Sequence, residues 1–166
     1  MTVLISIIRA MFYIFFLRLS FPKTYIEQEI QMEDGLRFKI FRHLKLKVKG
    51  GSSNKSIFIV RFKFKKFSHK ANIRLSRIPI MLIAGFPGFR DKLWMIDYKT
   101  GFWQGLYQWE TEESIKKYQK SFVLWLMNNR SDESTLGYKI ILRKDIRDYL
   151  EEHITMASSK HEKVPD

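Results

Sequence analysis

No cysteine occurs among the 166 residues, which excludes a disulfide framework, thiol nucleophiles and thiolate metal sites, and fits a reducing compartment. The four histidines (His43, His69, His153, His161) stand at no paired ligand spacing. Neither a P-loop, a G-x-G-x-x-G fingerprint nor a G-x-S-x-G elbow is present, and Gly85–Gly88 reads as a turn. Acidic residues are missing where they would be most noticed. Between Arg37 and Arg77 there are 14 Lys/Arg and no Asp/Glu. Residues 1–77 hold 17 basic and 4 acidic side chains, whereas residues 78–166 hold 13 of each. The net charge of +13 therefore sits in the first half of the chain. Such a block is a footprint for nucleic acid, a surface for anionic lipid, or a solvated strand face. Its phenylalanines argue against nucleic acid, because alternation sends Phe62 and Phe64 to the face opposite Arg61 and Lys63.

With 45% hydrophobic and 15% aromatic residues, the chain has the makings of one globular domain and some extra length. Residues 3–21 are apolar, with Arg9 and Arg18 as the only charges. The length approaches the ~20 residues of a membrane-crossing helix. On a helical wheel Thr2, Ser6, Arg9, Tyr13 and Ser20 form one narrow polar stripe. Three placements are open to this helix: lying in a membrane interface, crossing the bilayer, or packing on the protein. A central Arg opposes crossing by roughly 2.5–3.5 kcal/mol. If it crosses, the basic flank after it puts the C-terminal side in the cytoplasm, and the expected location is the cytoplasm, at the inner face of the membrane.

After Pro22, residues 24–32 and 36–48 read as a β-hairpin around Glu33-Asp34-Gly35. Residues 50–55 form a Gly/Ser linker, which separates this 22–49 extension from a main domain over 56–153. Residues 154–166 read as a flexible tail. Within the domain, residues 57–66 alternate as a strand, Ser68 caps a helix interrupted at Pro79, and residues 89–96 and 102–109 form a hairpin around Asp97–Gly101. Thr111 caps a further helix whose buried stripe would be Ile115, Tyr118, Phe122, Trp125 and Leu126. A strand over 136–142 and a short helix over 144–153 close the domain.

From residue 56 the order is strand, helix, strand, strand, helix, strand, the ferredoxin-like α+β arrangement. The pieces Phe86-Pro87-Gly88-Phe89, Lys92-Leu93-Trp94, Thr100-Gly101, Gly105–Glu110 and Tyr118 carry a resemblance to the dimeric α+β barrel proteins. Within these the chain resembles the antibiotic-biosynthesis-monooxygenase-like group. The resemblance covers residues 56–142. It implies a homodimer paired sheet to sheet, an aromatic-lined cavity between sheet and helices, and cofactor-independent oxygenation of a small planar aromatic substrate. A haem-degrading version would need an iron-ligating histidine, for which His69 is the one candidate. Alternation on residues 102–109 gathers Trp103, Gly105, Tyr107 and Trp109 on one face. Trp94, Trp103 and Tyr107 are thus the expected substrate walls, with Arg61 and His69 as anion-stabilising or proton-transfer groups. The competing reading is a membrane-associated ligand-binding or interaction protein of the same fold, without turnover. In either case Arg9, Arg18, Lys45, Lys47, Lys63 and Lys65 are the expected anion-facing surface, the basic block being a second signal beside the apolar helix.

Overall fold

The structure, a computed structural model, describes residues 3–15, 18–48 and 54–159. Its centre is a seven-stranded antiparallel sheet in the order β1-β3-β5-β6-β4-β7, with β2 pairing beside β1 on β3. The strands are β1 (Leu19–Ser20), β2 (Glu29–Gln31), β3 (Arg37–Leu46), β4 (Ser56–Phe62), β5 (Phe89–Ile96), β6 (Trp103–Trp109) and β7 (Gly137–Ile141). Helices α1 (Val3–Phe15), α2 (His69–Leu75), α3 (Pro79–Ala84), α4 (Glu112–Gln119), α5 (Phe122–Arg130) and α6 (Ile146–Ser159) surround it. The run β4-α2/α3-β5-β6-α4/α5-β7, with its strands adjacent as β5-β6-β4-β7, is the ferredoxin-like fold. The first strands extend it. β3 pairs with β5 from Lys39↔Ile96 to Lys45↔Asp91, so the 22–49 extension belongs to the same sheet. Of the Gly/Ser linker expected at 50–55, residues 50–53 lie outside the described ones.

Local chemistry accounts for most element boundaries. Ser68 accepts a hydrogen bond from the Ala71 N–H, Thr111 from Ser114 and Ser121 from Leu124, each satisfying an orphan donor at a helix start. Pro79 splits the expected helix into α2 and α3. The helix expected after Thr111 is broken as well, at Lys120-Ser121, where a new N-cap resets its phase. Ile115 and Tyr118 remain buried, but α5 buries Val123 and Leu124 and leaves Phe122, Trp125 and Leu126 exposed. At the N-terminus the helix stops short of the expected residue 21. Leu19 and Ser20 instead add to the edge of β3, opposite Leu46 and Lys45. The first strand of the 24–32 hairpin arm shrinks to Glu29–Gln31, because Glu27 adopts φ 72° and the chain before it turns.

Both faces of the sheet are covered. On one, Phe58, Val60, Trp94, Trp103, Tyr107 and Trp109 pack under α1, α3, α4 and α5. On the other, Ile57, Ile59, Leu93, Met95 and Leu106 pack under Ile146, Tyr149 and Leu150 of α6 and under Ile30 and Met32. All five strand residues are at most 4% exposed. Sheet-to-sheet pairing of two copies would first require α6 to leave this face. No described helix is long and apolar enough to cross a membrane. One side of α1 packs on the domain: it lies against α3, with Ser6 and Ala10 buried.

That contact is set by Gly85. A β-carbon there would stand 1.8 Å from the Ser6 carbonyl oxygen, closer than any real contact. Gly85→Ala should therefore displace α1 and lower stability by about 1–3 kcal/mol, the usual range for overpacking. Thermal unfolding and limited proteolysis of the N-terminal segment measure this. An unchanged Tm together with unchanged protection would show that α1 does not pack here.

Candidate functional site

Strands β5 and β6 pair from Asp91↔Gln108 to Ile96↔Trp103, which brings Lys92 opposite Tyr107 and Trp94 opposite Gly105. Because side chains alternate along a strand, Lys92 shares the helical face with Trp94, while Asp91, Leu93 and Met95 take the other. Gly105 is required by its neighbour: a β-carbon would lie 2.6 Å from the Tyr107 ring, which folds back along its own strand. The bulge between Ile40 and Arg42 turns Phe41 and Arg42 to the same side. The Phe41 ring meets Trp103 at 5.4 Å, and the Arg42 guanidinium lies 5.7 Å from Trp94.

Lys92 and Gly105, with the aromatic side chains beside them, line a cavity of about 160 Å³ between the sheet and α3 and α5. Trp94, Trp103 and Tyr107 all border it, closed on the helical side by Ile78, Leu82, Leu126 and Met127. A cavity of roughly 150 Å³ accommodates a benzene-sized molecule, so the space here fits a single ring. At its floor Lys92 is 4% exposed, and its amine donates to the Tyr107 hydroxyl at 2.7 Å. It lies 4.1 Å from the Trp94 ring and 4.2 Å from that of Tyr107. No carboxylate pairs with it among the described residues. Burial, helped by the positive charge of Arg42, holds its pKa well below that of an ordinary lysine. Burial likewise raises Tyr107 well above the usual phenol range, and Tyr118, hydrogen-bonded to it, is also raised. The floor is thus a Lys92–Tyr107–Tyr118 chain of polar atoms in aromatic surroundings, and each of the three favours its neutral form.

The two residues expected to carry proton transfer lie elsewhere. Arg61 is on the opposite face of the sheet, where it donates to Gln104 at 2.9 Å, pairs with Asp34 and covers the Phe38 ring. Alternation had already placed it opposite Phe62, and the cavity formed on the phenylalanine side. His69 begins α2 and touches the outside of Trp103 at 5.9 Å, between that ring and Tyr98. It borders the wall and does not line the cavity. The expected anion surface divides in the same way. Arg18, Lys45 and Lys47 gather with Lys55, Arg90 and Arg147 around a cleft of about 630 Å³ at the far end of β3. Asp145 pairs with both Lys55 and Arg147 there, and Arg90 pairs with Glu110, so three of those six cations share two carboxylates. Lys63 covers the Phe102 ring, Lys65 pairs with Glu133, and Arg9 donates to the Tyr13 hydroxyl.

Lys92 is the residue that sequence reasoning passed over. Its parity with Trp94 was the available signal, since an inward-facing lysine on an otherwise apolar strand face breaks the pattern. The buried His43–Asp91 pair (2.7 Å) was likewise not foreseen; it sits on the α6 side, beside Tyr25. Haem does not fit the cavity. Its lining contains no imidazole, and its volume lies below the 300–1,000 Å³ usual for sites of larger ligands. Among the described residues no group of three His, Asp or Glu side chains is placed to hold a metal ion.

No protein-family model and no curated protein matches the sequence. Solved structures do match. One is a ferredoxin-fold protein from Listeria monocytogenes related to antibiotic biosynthesis monooxygenases, at 9% identity and a TM-score of 0.52, with 69% of each chain covered. Another is the haem-degrading enzyme of Listeria monocytogenes, at 9% identity and a TM-score of 0.51, covering 68% of this chain and 81% of that one. At such identity the likeness is one of fold: the chain carries the ferredoxin-like α+β fold of the antibiotic-biosynthesis-monooxygenase-like proteins, extended by an N-terminal helix and hairpin.

Proposed function

We propose that the cavity binds a single-ring phenol or enol and that Lys92 takes its acidic proton. The observation that carries this reading is a buried amine, with no carboxylate partner among the described residues, at the floor of an aromatic cavity sized for one ring. A phenol entering that space supplies the missing counter-charge. Once its proton reaches Lys92, the pair becomes an ammonium and a phenolate in low-dielectric surroundings, where their attraction is strong. Trp94 and Trp103 are placed to hold the ring, and the Tyr107 hydroxyl to bridge to the anion. This deprotonation is the first step that cofactor-independent oxygenation requires. For an enol whose α-carbon carries a hydrogen, the bound enolate would add dioxygen, the oxidant, at that carbon. The peroxide would take back the proton held by Lys92 and lose water together with the hydrogen of that carbon, leaving one oxygen there as a carbonyl.

A nitrophenol, coloured as the anion and colourless when neutral, tests the first step. The protein should bind it with the anion spectrum at a pH below its solution pKa, and Lys92→Met should abolish that spectrum. Binding in the neutral form by both proteins, or no binding, would overturn the assignment of Lys92. Oxygen uptake with an enolic substrate then separates an enzyme from a ligand-binding protein.

The same burial predicts a pH signature in stability. Lys92 is neutral when folded but protonated when unfolded over the interval between its lowered pKa and about 10.4. There the unfolded chain holds the extra proton, so stability rises with pH, by up to about 1.4 kcal/mol per pH unit. Tyr107 and Tyr118 act in the opposite sense above about pH 10, where only the unfolded chain releases their protons. Lys92→Met should flatten the rising limb alone and raise the Tm at neutral pH. Denaturant unfolding of both proteins across pH 6–10 checks this. A variant with the wild-type slope would mean that Lys92 is solvated.

A further inference from the structure

Helix α1 is docked inside out. Its small and polar residues Ser6 and Ala10 face α3, and the large apolar ones, Leu4 (65%), Ile5 (46%), Ile8 (58%) and Met11 (60%), face outward. Next along the same layer, α3 is preceded by the exposed Ile78, and α3 in turn contacts α5. On α5, Phe122 and Trp125 stack at 5.4 Å with both rings about half exposed, beside Leu126. Soluble surfaces rarely carry so many large apolar side chains on one side. The charges of this layer are one-sided too. α1, α3 and α5 contain no Asp or Glu, and residues 64–90 carry six Lys/Arg and no acid. Within the helical layer the acidic residues of α4, Glu112 and Glu113, are paired with Lys116 and Lys117. The acids Asp148, Glu151 and Glu152 belong to α6, on the far side of the sheet.

We propose that the α1/α3/α5 face docks peripherally on an anionic bilayer. Apolar side chains would enter the headgroup boundary, Trp125 would sit at the interface, and Arg74 and Arg77, both exposed, would meet the lipid charge. An apolar helix with no acid, set among cations, matches that partner in both hydrophobicity and sign. A second copy of this face would bring like charges together. Ile78 and Leu126 also line the cavity, so docking would bring its mouth to the lipid surface. The docking itself does not depend on what the cavity binds.

Flotation of the full chain with phosphatidylcholine vesicles, with and without phosphatidylglycerol, tests this over a salt series. Binding should require the anionic lipid, weaken with salt, and fall at least tenfold both in Ile8→Glu/Met11→Glu and in Trp125→Glu. These side chains are exposed, so circular dichroism should show both variants folded. In the wild type, lipids brominated in the acyl chain should quench a fluorescence component that Trp125→Phe removes. Three results would overturn the proposal: no flotation with anionic vesicles, flotation unchanged in both variants, or a wild-type dimer that these substitutions dissolve without any vesicle binding. The nitrophenol titration uses no lipid, so failure here leaves the reading of the cavity standing.

Discussion

Strand β6 is buried along its whole length on both faces, and so is most of β4 and β5 beside it. A sheet apolar on both sides has to be covered twice. One cover is the helical layer. The other could in principle be a second molecule, but here it is α6 together with the β2 arm, joined to the sheet by Gln108. That side chain donates to the carbonyls of Ser56 and Lys144 and accepts from the Ile146 N–H at the start of α6. A buried amide that satisfies three backbone groups holds α6 in place, because moving the helix would strand them without water.

The helical side is less completely filled. Splitting the connections into α2/α3 and α4/α5 leaves a gap over β5 and β6, and Gly105 deepens it by letting Tyr107 lie flat. Into this gap the sheet register delivers Lys92. A lysine in such surroundings works against folding, since its charge is expelled along with the water. A methionine would fill the same space at lower cost. Residues that break the local rule in this way, inside a cavity and with a shifted pKa, are where function is to be sought.

The outer surface of the same layer breaks a second rule. An amphipathic helix on a soluble domain turns its apolar stripe inward. α1 cannot do so, because its close approach to Gly85 admits only the Ser6 and Ala10 side. Tight backbone packing and outward hydrophobicity are therefore two aspects of one contact, and the acid-free composition around them gives the exposed face a definite electrical sign.

From the sequence alone, the element order, the caps at Ser68 and Thr111, the break at Pro79, the β5–β6 hairpin and the inward aromatic face of β6 were all legible. Each rests on alternation or on a side chain bonding to its own backbone, which are interactions between near neighbours. The polar stripe on α1 was legible too, but not which side of the helix would meet the protein, since that was decided by a glycine 79 residues away. The same holds for the remaining differences. The phase reset at Ser121 exposed Phe122 and Trp125, α6 closed over the second sheet face, and Arg61 fell on the far side of the sheet from the cavity. Lys92 became a buried amine with no carboxylate partner among the described residues because Tyr107 and Trp94 close around it. Periodicity shows that two residues share a face. Which face is then roofed, by what, and with how much space left over depends on contacts between distant parts of the chain, and only the tertiary structure decides it.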